Sequence, residues 1–201
     1  MGFFKKKSDK VKTPQKQPMS AAARAGRIRD ILIKRQLPMS KKEDAGTQLL
    51  NDSTLVVIWL AGEAMHVSGW DKRLLTWEQF AVMNGICACL GDALVQFAGL
   101  PKKAFPALVG RAVNVLFVGS DREKWMANEK HFSFATHQYR HMMEQSHLRP
   151  RVDAIGASFY KFLETDDNSL LTPIGQQLGH LMERPDVSPL VKSAPQRHEK
   201  G

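Results

Sequence analysis

Between about residue 20 and residue 184, bulky apolar side chains recur three and four positions apart, the spacing that gathers them on one face of a helix. Ser20 can cap a first helix running to Gln36, where Pro38 stops it. Its apolar stripe is narrow: Ile28, Ile31 and Leu32 share about 100° of arc, with Arg24 and Arg35 on the same side beyond either end. Such a stripe is expected to dock on a partner or a membrane surface, not to hold a core. Ser40 and Glu43 have capping-box spacing and predict a second helix. It runs on, or restarts after Asp52 and Ser53, through Leu55, Ile58, Trp59 and Met65 towards Gly69. The run Leu55–Leu60 is short, apolar and rich in β-branched residues, so it also reads as a buried strand; helix is the preferred reading.

Thr76 opens a long helix through Ala98, closed by Gly99 and Pro101. Met83, Cys87, Leu90, Leu94 and Phe97 form its bulky face, Ala81, Ala88, Gly91 and Val95 a face of small side chains, and Glu78, Asp92 and Gln96 a narrow polar strip. A helix apolar nearly all round belongs at the centre of a bundle. In the next segment, Phe105–Val118, Pro106 suits a first helical turn better than a strand, although Val113–Val118 leaves a strand open. Ser120 and Glu123 predict a helix to Leu148, ended by Pro150, with a core stripe of Trp125, Phe132, Thr136, Tyr139 and Met143. Two more follow: Val152–Leu163 with Ile155, Phe159 and Phe162, then a short helix from Thr172 and Pro173 with Ile174, Leu178 and Leu181. The expected fold is therefore all-α, an irregular bundle of about six to seven helices. Residues 1–47 form a flexible basic arm holding the short helix at about 20–36, residues 48–184 the helical domain, and residues 185–201 a proline-broken disordered tail.

Charge sharpens this division. The formal net charge is +9, and residues 1–47 hold 13 Lys or Arg against four Asp or Glu, while the rest of the chain holds 16 against 16. A neutral body with a cationic leader points to an anionic partner met by that leader. Lys5, Lys6, Lys7, Lys10, Lys12, Lys16, Arg24, Arg27, Arg29, Lys34 and Arg35 are its candidate contacts, and Ile28, Ile31 and Leu32 a candidate docking patch for a partner. Phe3 and Phe4 beside three lysines also suit weak attachment to an anionic membrane surface. Gln79–Pro101 is long enough to span a bilayer, but Asn84, Asp92, Gln96 and three glycines favour a core helix. No apolar stretch follows Lys5–Lys7, so no secretory signal is read. Cys87 and Cys89, too close along one helix to bridge each other, fit a reducing cytoplasm and read as small core residues.

Chemistry is sparse by comparison. His137 and His141 are four apart, and Glu144 follows one turn on, a possible metal set for hydrolysis. Gln138, Tyr139 and Arg140 stand between the histidines, so the Glu that a zinc protease carries after its first His is missing. A solvated polar face is the blander and better reading. Asp92 reads as a hydrogen-bonded structural acid, phosphate-cradling glycine loops are absent, and no serine sits in a nucleophile elbow. The pattern predicts a non-enzymatic helical interaction module without cofactor: an adaptor or accessory subunit of a larger cytoplasmic, peripherally membrane-associated assembly, tethered by its arm. A nucleic-acid accessory protein using the same cations on phosphates is the first alternative, and a metal-dependent hydrolase built on His137, His141 and Glu144 the second.

Overall fold

The computed structural model of the protein describes residues 19–39, 43–71, 75–117 and 130–182. Among the described residues are seven α-helices and no strand: α1 (Ala21–Lys34), α2 (Ala45–Val67), α3 (Trp77–Ala98), α4 (Ala104–Phe117), α5 (Lys130–Glu144), α6 (Arg149–Thr165) and α7 (Leu171–Met182). A single 3-10 turn, Asn168–Leu170, precedes α7. The all-α bundle that the apolar spacing predicts is the fold; Leu55–Leu60 is helical within α2 and residues 113–117 within α4, while Val118 lies outside the described residues.

Helix boundaries follow local chemistry. Ser20 accepts from the Ala23 amide at the start of α1, and Thr76 and Gln79 close a reciprocal capping box on α3. Gly99 ends α3 in the left-handed region at φ 68°, which glycine enters without a Cβ penalty. At α2 the expectation is corrected. Asp44 is the cap, accepting from the Gly46 and Thr47 amides at 3.1 and 3.0 Å, and the helix runs unbroken past Asp52 and Ser53. An ionised carboxylate meets the positive helix start better than a hydroxyl can, and hydrogen bonds from the Thr47 side chain, then from the Thr47 and Gly46 amides, hold the Asp44 carboxyl below the usual carboxylate range. Ser40, Ser120, Glu123 and Trp125, with the capping boxes read from them, lie outside the described residues, as do the side chain of Phe132 and residues 183–201. Pro150 is also corrected: α5 ends at Glu144, and Pro150 sits in the first turn of α6, where its missing N–H costs nothing.

The core is organised around α3. Every residue from Phe80 to Gly91 is buried, and α3 touches each of the other six helices. The stretch Glu78–Ala98 has the length and apolarity of a membrane span, yet 89% of its most apolar window is buried inside the fold. Two glycines set the spacing of its neighbours. A Cβ on Gly91 would lie 2.9 Å from Val109 Cγ2 and 3.2 Å from Leu108 Cδ2 on α4, and one on Gly85 would run into the Met142 thioether on α5. Gly91 belongs to the small-residue face expected to admit a close neighbour.

Two expectations about burial are overturned. Ile28, Ile31 and Leu32 are 0%, 1% and 0% exposed and belong to the main core, so they are no docking patch for a partner. α1 packs on α2, α3 and α6, and three branched or long side chains suffice because the helix lies in the trough those neighbours form. The division at residue 47 therefore does not hold, since α1 is part of the folded body. On α5 the buried line is Gln138 and Met142, 0% and 1% exposed, while Thr136, Tyr139 and Met143 are half-buried. The face is turned from the expected stripe by roughly a third of a helical turn, because Gly85 lets Met142 and its flanking backbone approach α3.

These contacts generate a paired prediction. Gly91→Ala overpacks the α3–α4 contact and lowers stability by about 1–3 kcal/mol. Gly26→Ala on α1, where nothing lies within 4 Å of the added methyl, raises it by about 0.5–1 kcal/mol. Urea denaturation followed by circular dichroism measures both, and an equal loss in the two variants contradicts the packing assigned to Gly91.

Candidate functional site

The cations of α1 find partners in the same chain. Arg24 Nη1 donates to the Phe97 carbonyl at 3.0 Å, in the last turn of α3, where Gly99 leaves room for the guanidinium and the helix end favours positive charge. Arg27 Nη1 lies 3.1 Å from Asp166 Oδ2, and Lys34 pairs with the same carboxylate. Arg29 Nε meets the buried Asp52 carboxylate at 3.4 Å. Arg35 donates to the Asn168 side chain and stacks with its Cζ 5.0 Å from the centroid of the Trp59 ring. Five of the candidate contacts for an anionic partner are thus occupied within the fold. Lys5, Lys6, Lys7, Lys10, Lys12 and Lys16 lie outside the described residues.

Asp166 is the residue that sequence reading missed. It closes α6 in the left-handed region at φ 57°, a conformation that Asp and Asn tolerate better than other side chains. That backbone aims the carboxylate across to α1, 132 positions earlier along the chain.

The histidine cluster is brought together only in part. His137 Nε2 and His141 Nε2 are 3.0 Å apart, with their rings at 87°. Glu144 lies elsewhere: its Oε2 is 3.8 Å from His141 Nδ1, on the far side of that ring. The three-ligand set expected from the spacing is therefore not formed, and among the described residues no group of three or more metal-ligating side chains converges. An i, i+3 step points Glu144 along the helix past His141 rather than back to His137. Desolvation, then the neighbouring His141 and Arg140, hold the His137 pKa below its ordinary value, against a smaller upward pull from Glu144.

Between α3, α5 and α6 lies a polar cleft of about 620 Å³, lined by Asp92, Tyr139, Asp153, Tyr160, Lys161 and Glu164. Asp92 Oδ2 accepts from Gln96 Nε2 at 2.8 Å and from the Tyr139 hydroxyl at 3.4 Å, the hydrogen-bonded structural acid expected. Burial and the Asp92 carboxylate push the Tyr139 phenol up, and burial pushes the Cys89 thiol on the cleft wall up to about 12. Both stay protonated at neutral pH, so neither is an activated nucleophile. Cys87 is likewise a buried free thiol raised to about 12 by desolvation.

An apolar groove of about 530 Å³ lies between α2 and α7. Trp59, Leu60, Ala64 and Val67 form one wall, and Leu171, Gly175 and Gly179 the other. Each wall repeats at helical spacing over about two turns, roughly 12 Å of rise. Nothing lies within 4 Å of a Cβ placed on Gly175 or Gly179, whereas Ile174, Leu178 and Leu181 on the same helix face the core. Arg35, Glu63 and His180 supply charge or polarity at the edges. The signal for this site in the sequence is two glycines one turn apart in a short helix, flanked by a Trp on another helix. Comparison with protein-family models, with curated proteins and with solved structures finds no match to this chain.

Two outcomes test this geometry. Asp166→Asn keeps the left-handed backbone but removes the charge shared by Arg27 and Lys34; it costs about 1–2 kcal/mol in thermal or urea unfolding, and an unchanged midpoint contradicts the hub. In an NMR titration, His137 gains its proton below the ordinary imidazole pKa of about 6.5, and Glu144→Gln moves that midpoint lower still.

Proposed function

We propose that the chain is a non-enzymatic helical interaction module, an accessory subunit that receives one amphipathic helix of a protein partner in the groove between α2 and α7. The observation that carries this reading is the groove itself. Helical side chains of α2 and α7 line an apolar trough about two turns long, and its second wall is kept low by Gly175 and Gly179. A helix with small or apolar residues three and four apart matches such a trough. Trp59, half-buried with one face under Arg35, is the aromatic and cationic anchor typical of a binding hot spot.

The six lysines of residues 5–16 serve as the tether, weakly and electrostatically, in a cytoplasmic or peripherally membrane-associated assembly. This charge is smaller than the sequence suggests, because the α1 cations are spent inside the fold. Support for a binding role comes also from the chemistry of the polar cleft, whose thiol and phenol remain protonated.

Gly175→Phe and Gly179→Phe fill the groove at positions with open space, so the fold and its Tm are preserved. Affinity capture with the full chain is expected to retain a protein that both variants release, and cross-links from that protein map to α2 and α7. Charge reversal of Lys5, Lys6, Lys7, Lys10, Lys12 and Lys16 weakens retention in a salt-dependent way without abolishing it. Capture unchanged by groove filling overturns the reading. Affinity for an arbitrary DNA duplex that ignores groove filling and falls with salt, with a log–log slope no steeper than about −5 for six phosphate contacts, assigns the function to nucleic acid instead.

A further inference from the structure

The pair His137 and His141 on α5 holds an arrangement that the interaction reading does not use. The four-residue spacing stacks the two side chains on one face of the helix, and their Nε2 atoms meet at 3.0 Å. Two nitrogens bound about 2.05 Å from one metal stand about 3.3 Å apart at a tetrahedral angle and about 2.9 Å apart at a right angle. The observed separation matches the right angle, the cis position of a tetragonal site. The rings stand at 87° to one another, and small χ rotations bring both lone pairs onto a common point.

We propose that His137 and His141 form a two-imidazole chelate for a divalent transition metal of tetragonal preference, copper(II) before nickel(II), with solvent in the remaining positions. The affinity order follows from ligand type and geometry together. Glu144 is a positioning residue for this site. Its carboxylate lies beyond His141 Nδ1 at 3.8 Å, where it favours the tautomer with the proton on Nδ1 and frees the Nε2 lone pair, the outer-sphere arrangement common to metal-bound imidazoles. Without metal, one Nε2–H donates to the other Nε2. On binding, that ring carries its proton on Nδ1 instead, so a neutral pair takes up the ion with no net proton release. His137 is exposed and His141 half-exposed, so the ion reaches both from solvent without any rearrangement of the core.

The test titrates untagged full-length protein with Cu2+ by calorimetry and reads the bound ion by electron paramagnetic resonance. The expected result is one site, at least about tenfold tighter than in the His137→Gln/His141→Gln variant, with two equatorial imidazole nitrogens in its spectrum. Circular dichroism verifies that the variant keeps its helices. Glu144→Gln weakens the site by about threefold to tenfold while leaving both nitrogens in place, which separates a positioning role from a ligand. Equal Cu2+ affinity in the double histidine variant, or a spectrum with fewer than two imidazole nitrogens, overturns the proposal. Loss of a nitrogen or oxygen ligand in Glu144→Gln overturns the role given to Glu144.

Discussion

Burial of α3 on all sides is the constraint from which the rest of the structure follows. A helix of 22 residues with a single polar strip carries far too much apolar surface to stand uncovered in water. Six helices touch it, and where α3 has no side chain, at Gly85 and Gly91, Met142 and Val109 come close enough to take the place of a Cβ. The polar groups that α3 does carry are placed accordingly. Asp92 and Gln96 bond each other at the rim, and Asn84, wholly buried, turns its amide back onto the Phe80 carbonyl of the same helix at 2.7 Å.

The need to close that shell explains α1. Its apolar stripe is only three residues wide, and on stripe width alone it reads as a surface element. What fixes it in the core is charge as much as hydrophobic area. Arg24 completes the carbonyl end of α3, Arg29 neutralises a carboxylate buried in α2, and Arg27 and Lys34 converge on Asp166. Exposed ion pairs contribute little individually. Here, however, Asp52 and Asp166 are largely withdrawn from water, and leaving either unpaired costs more than a surface pair ever returns.

How much of this could be read from the sequence depends on the range of the interaction. Thr76, Gly99 and the apolar period of α3 act within a turn or two, and they predict that helix, its ends and its central place correctly. The cap of α2 fails by a few residues because two acceptors, Ser40 and Asp44, compete within one turn of chain, and pattern alone does not weigh a carboxylate against a hydroxyl. Met142 instead of Met143 faces the core because of a glycine 57 positions away along the sequence, and Asp166 finds α1 across 132. Neither pairing leaves a local trace. The His137–His141 approach is local and was legible, while the displacement of Glu144 depended on side-chain direction along the helix and was not.

The glycines of the chain separate packing from openness. Gly85 and Gly91 are each filled against by a neighbour, so the stability they forfeit relative to alanine, about 0.5–1 kcal/mol apiece, is returned by closer helix contact. A Cβ on Gly175 or Gly179 would meet nothing within 4 Å, so no close packing that requires glycine offsets the same cost there. Gly26 shares that openness away from the groove wall, so open space alone does not make a site. What distinguishes Gly175 and Gly179 is their position one turn apart on the wall of an apolar groove, with Trp59 opposite. Alanine at both places would make α7 a better helix and the groove a shallower one, so the demand that glycine satisfies there is for space, and the claimant to that space is the partner helix proposed above.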